Sequence, residues 1–153
     1  MAKYASEMQR FAYEATLHIH HPTVTPSEIT SRLPWLPQRE NRVGEPRRRP
    51  DGIISERVYP ENYWRATIPT MDGQDLVEFL SNMVDLLAPQ RQFLSDLSAT
   101  GGEVCCLIGV FTSACCAHQF PRQLLGDLAA MGMDLRLDIY GHELPQQVAE
   151  GKR

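Results

Sequence analysis

The side chains best suited to chemistry crowd into one stretch, EVCCLIGVFTSACCAHQF (Glu103 to Phe120). It holds all four cysteines of the 153-residue chain as two adjacent pairs, Cys105 with Cys106 and Cys115 with Cys116, and His118 follows close behind. A second pair, His18 and His20, stands one residue apart in YEATLHIH. Thiolates and imidazoles are the commonest ligands of zinc, and a cysteine near a histidine is the beginning of a nucleophile and its base. The chemistry to weigh is a metal- or thiol-dependent site built from His18, His20, Cys116 and His118. Against it stands the plain reading of cysteine as a small buried hydrophobe.

The elements that carry these residues bear on the choice. Val104 to Phe111 is apolar on both faces and reads as a central strand. Cys115 to Phe120 is expected to pair with it in a hairpin turning at Thr112 to Ala114. In that register Cys105 opposes Phe120, and the two cysteine pairs are offset by about five residues, roughly 16 Å along the strands. A disulfide tolerates a Cα separation of only about 7 Å, and thiolates on one zinc ion come closer still, so the hairpin excludes a single four-cysteine site. Adjacent cysteines on a strand also point to opposite faces. Free, mostly buried thiols are the expectation. The pairs His18/His20 and Cys116/His118 could share an ion only if their strands were neighbours with both pairs on one side. A catalytic triad would further need an orienting carboxylate and an oxyanion pocket, which no motif announces.

Tyr13, Ala15, Leu17 and Ile19 alternate with Glu14, Thr16, His18 and His20, the period of a strand with one apolar and one polar face. In VTPSEI, Thr25 is placed as N-cap, Pro26 opens the helix, Glu28 completes a capping box, and Val24 and Ile29 form a hydrophobic staple. That helix stops near Leu33, ahead of Pro34. Residues 34–51, rich in proline and arginine, form an irregular connection with a short strand around Arg42 and Val43, and Arg47 to Arg49 read as a solvated loop. YWRATIP alternates again, with Trp64, Ala66 and Ile68 facing the core and Tyr63, Arg65 and Thr67 facing away. Leu76, Leu80, Met83 and Leu87 mark a helical stripe. Pro89 interrupts it, and a second helix runs to Gly101 and Gly102. A last helix opens at Pro121 and closes at Gly132. In DLRLDIY, Leu135, Leu137 and Ile139 share one face while Asp134, Arg136, Asp138 and Tyr140 share the other.

This order specifies one α+β domain over 13–140, a mostly antiparallel sheet with helices packed on one face in a ferredoxin-like elaboration, with an N-terminal tail at 1–12 and a C-terminal tail at 141–153. At 42% hydrophobic and 22% charged residues, such a domain buries roughly 70% of its unfolded surface. The net charge of −4 provides no field to gather nucleic acid. Charges break up the first twenty residues, and Val104 to Phe111 is too short to span a bilayer, so a cytoplasmic protein without membrane contact is expected. No phosphate loop, dinucleotide fingerprint, HExxH or GxSxG motif occurs in the sequence. Asp134, Arg136 and Asp138 suit salt bridging better than acid–base work. His18, His20, Tyr63, Arg65, Arg136 and Asp138 fall on the sheet face that the helices leave open. Such a face is either simply wet or a place where a partner docks.

TPSEITSRL, RVGEP, YWRAT, LLAPQRQFLSDL and LLGDLAAMGMDLRLDIY together resemble the bacterial domain-of-unknown-function family 4279, over about Tyr13 to Tyr140. The sequence departs from that pattern at Phe120, where a serine usually precedes the proline, and in its cysteine pairs. The resemblance implies a small cytosolic bacterial protein and brings no catalytic signature with it. The functional expectation is a non-catalytic module, immunity-like or accessory, with no cofactor, that binds a protein partner or a second copy through the open face or the arginine-rich loop. The alternative is the metal- or thiol-dependent enzyme.

Overall fold

Strand β1 (Phe11–His21) follows its alternation: Ala15, Leu17 and Ile19 are buried, while Glu14 is exposed and His18 and His20 are half-buried. The computed structural model describes residues 11–141. The two expected tails lie outside the described residues, except that Phe11 and Ala12 already belong to β1 and Gly141 follows the last strand. Helix α1 (Pro26–Arg32) starts on the expected capping box, with Glu28 N–H donating to Thr25 Oγ1 at 3.3 Å and Thr25 N–H donating to Glu28 Oε2 at 2.9 Å.

The proline- and arginine-rich connection contains more structure than expected. Strand β2 (Arg39–Asn41) takes the place foreseen for Arg42 and Val43. The chain turns at 42–45 because Gly44 adopts a φ of +81° and Val43 N–H donates to Asn62 Oδ1 at 2.9 Å. Strands β3 (Pro46–Arg48) and β4 (Ile54–Val58) then form an exposed hairpin, a second small sheet that draws Arg47 and Arg48 out of the supposed loop.

Strand β5 (Asn62–Ile68) buries Trp64, Ala66 and Ile68, and the Trp64 indole N–H donates to Thr30 Oγ1 of α1 at 3.0 Å. Helix α2 (Leu76–Leu87) breaks into a 3₁₀ turn at Pro89, and helix α3 (Arg91–Ala99) follows. Strand β6 (Glu103–Thr112), helix α4 (Arg122–Ala130) and strand β7 (Met133–Tyr140) complete the described chain. Gly132 ends α4 with a φ of +64°, and a Cβ there would lie 2.6 Å from Ser98 Oγ. Glycine is therefore required both for the turn and for the close approach to α3.

The large sheet runs β2-β5-β1-β6-β7. Its pairs are antiparallel except for β6 and β7, which run parallel with α4 as the crossover. The fold is α+β with a mostly antiparallel sheet, and the parallel closing pair is the feature that a purely antiparallel, ferredoxin-like sheet would lack. Leu17, Ile19, Trp64, Cys106 and Ile108 project from one face into a core shared with Leu80, Leu87, Leu94 and Leu97 of α2 and α3. Among the described residues no helix is long and apolar enough to cross a membrane.

The cysteine hairpin does not form. Both edges of β6 are occupied, by β1 on one side and β7 on the other, which leaves no ladder for Cys115 to Phe120. That segment is irregular. It opens on a local turn in which Thr112 Oγ1 donates to the Ala114 carbonyl at 2.7 Å, and it leads Phe120 onto the core before α4.

Candidate functional site

Register fixes what the face opposite the helices displays. One row across the sheet reads Asn41, Tyr63, His20 and Glu103, and the next reads Arg39, Arg65, His18, Cys105 and Asp134. A third brings Thr67, Thr16, Leu107 and Arg136. His18, His20, Tyr63 and Arg65 thus meet on β1 and β5, with His18 directly opposite Arg65 and His20 opposite Tyr63. Arg136 shares the face but stands on β7, two strands and roughly 10 Å from β1. There it holds Asp138 through two bonds, from Nε at 2.8 Å and from a terminal nitrogen at 3.1 Å.

His18 is fixed at both ring nitrogens, Nδ1 against the Tyr63 hydroxyl at 2.9 Å and Nε2 against Thr16 Oγ1 at 2.9 Å. A neutral imidazole has one donor and one acceptor nitrogen, so two hydroxyl partners use up its capacity. Burial lowers its pKa, and the positive charge of Arg65, then His20 and Arg136, lowers it further. Tyr63 is pushed the other way by burial, against the opposing pull of Arg65 and Arg39. His20 packs against the Tyr63 ring in a tilted arrangement, 4.6 Å between centroids, and places Nδ1 2.9 Å from Glu61 Oε1.

Beside this cluster the β3–β4 hairpin and the sheet enclose a cleft of about 410 Å³, lined by Arg39, Arg47, Arg48, Tyr59, Glu61 and Tyr63 among others. The sequence named the arginine-rich loop as a contact surface separate from the open face; that Arg39, Arg47 and Arg48 stand beside the face was not legible, because the three-residue strands that carry them are too short for a periodic signal.

The metal or thiol alternative is not assembled. His118 lies 4.8 Å, ring to ring, from Phe11 at the start of β1, and Phe11 shares the helix-covered side with Ala15. His18 is seven residues further along β1, on the order of 23 Å away, and on the opposite face. Cys115 and Cys116 are exposed on the loop after β6, and all four thiols are unpaired. Cys106 is buried, 3.8 Å from Met83 Sδ, and burial pushes its pKa up to about 12. Cys105 is on the open face, and burial first and Asp134 second raise its pKa as well. Neither thiol of β6 is an activated nucleophile.

A family model described as Domain of unknown function (DUF4279) matches residues 11–142. No curated protein and no solved structure matches the chain.

Proposed function

The chain belongs to the domain-of-unknown-function family DUF4279, and from that premise we propose that it is a non-catalytic cytosolic binding module, immunity-like or accessory, that holds a protein partner on the open face of its sheet. The observation that carries this reading is the pre-ordered cluster of His18, Tyr63, His20 and Glu61, in which both nitrogens of His18 are already engaged. With a hydroxyl already facing each ring nitrogen, His18 offers no open nitrogen to a metal ion. A recognition surface instead needs rigid side chains that lose little freedom on binding, and tyrosine and arginine are prominent among residues that anchor interfaces.

The test is comparative capture from host-cell extract. Wild-type protein, an open-face variant (Tyr63→Ala with Arg65→Ala) and a helix-side control (Glu78→Ala with Gln92→Ala) serve as bait, each checked for a cooperative melt. The expected outcome is a partner retained by the wild type and the control and lost with the open-face variant. Equal retention by all three baits, or retention by none, contradicts the reading. A second copy of the chain in the partner's place appears as a sedimenting dimer that the open-face variant dissolves.

A further inference from the structure

At the β2 edge of the open face the fold leaves positive charge unbalanced. Arg39 and Arg65 are directly opposite each other on β2 and β5. Like charges so placed repel across the ladder, and an anion between them removes the penalty. Among the described residues neither makes an ion pair, and neither do Arg47 and Arg48. Arg65 Nε is in addition closed off from water without a hydrogen-bond partner among the described residues, a costly condition for a donor.

The neighbouring cleft repeats the pattern. Arg39 lies over the Tyr63 ring at 5.9 Å and Arg47 over the Tyr59 ring at 5.7 Å. A guanidinium seated over a ring is held by cation–π attraction and keeps N–H groups available for an anion. Glu61, the carboxylate in the cleft, is engaged by His20. Because the chain as a whole carries a net charge of −4, this positive excess is a local feature and not a property of the composition.

We propose that Arg39, Arg65, Arg47 and Arg48 form a receptor for a run of carboxylates, so that the partner presents an acidic, extended peptide segment to the β2 edge and its hairpin. The proposal rests on the open-face reading and names the partner's chemistry. A single phosphate engages one or two guanidinium forks. Carboxylates repeated along a segment can meet in turn the forks spread over β2, β3 and β5, each in a bidentate pair.

The probe is hexaglutamate, blocked at both ends, titrated into the full chain and followed by amide NMR beside hexaglutamine and inorganic phosphate. Hexaglutamate is expected to shift the amides of Arg39, Arg48, Tyr59, Tyr63 and Arg65, and hexaglutamine is expected to leave them in place. Affinity should fall about tenfold or more in Arg39→Gln with Arg65→Gln. In the wild type it should fall between about 20 mM and about 300 mM salt. No shifts at this edge, equal shifts with hexaglutamine, salt-independent binding, or tighter binding of phosphate at the same residues would overturn the assignment. If hexaglutamate fails while the captured partner is still lost with Tyr63→Ala and Arg65→Ala, the acidic segment is wrong and the open-face reading stands.

Discussion

The two faces of one sheet are built from the same strands yet answer to different physics. On β1, Leu17 and Ile19 are shut into the core while their neighbours His18 and His20 stand on the open side. On β5, Trp64 is fully buried between Tyr63 and Arg65, which are not. The covered face gains stability from apolar area removed from water. The open face orders polar groups by hydrogen bonds and ring contacts and retains an uncompensated charge pair, which the proposed recognition role would explain at some expense to stability. Side-chain position along a strand alternates with period two, so a single residue step separates the two roles.

The sharpest way to break this division is Trp64→Ala. It empties the largest buried side chain and orphans Thr30, and chemical denaturation should register a loss of about 3–5 kcal/mol. A loss no larger than that of a surface substitution would mean that the covered face is not what holds the fold.

Next in size is His21, which is locked into the covered architecture. Its Nδ1 accepts the N–H groups of Val24 at 2.8 Å and Thr23 at 3.0 Å, and its Nε2–H donates to Thr100 Oγ1 at 2.9 Å. Burial lowers its pKa, with Glu28 opposing weakly. Because the folded value lies below the unfolded one, near 6.5, the unfolded state binds more protons in the interval between them. The stabilisation is complete above about pH 6.5 and is lost as pH falls through the depressed folded value. His18 is shifted in the same direction and adds to the slope. His21→Gln should cost about 1–3 kcal/mol at neutral pH and, like His18→Gln, flatten the acid limb of the stability curve. An acid limb unchanged by His21→Gln would mean that the ring is not held neutral in the covered architecture.

Much of this plan was legible in the sequence, where local signals were strong. The alternation of β1 and β5, the Thr25–Glu28 box and the break at Pro89 each depend on a handful of neighbouring residues, and each is found as read. The membership of the open face followed from the same alternation. The hairpin at 104–120 was misread because the partners of β6 are set by residues about ninety positions upstream and by the crossover into β7, which no local pattern encodes. The cleft was missed for a related reason: three-residue strands have too few positions to show a period. Leu137 and Ile139 lie on the helix side of β7 yet are 37% and 65% exposed, since an edge strand beyond the helices is only partly covered.

The most direct test of the division of labour is the melting temperature of Arg39→Gln with Arg65→Gln beside wild type at low ionic strength, with and without hexaglutamate. The variant alone should melt at or above the wild-type temperature, since a repulsive pair has been removed, and only the wild type should gain stability from the peptide. A variant that melts several degrees lower on its own, or gains as much from the peptide as the wild type does, would contradict that division.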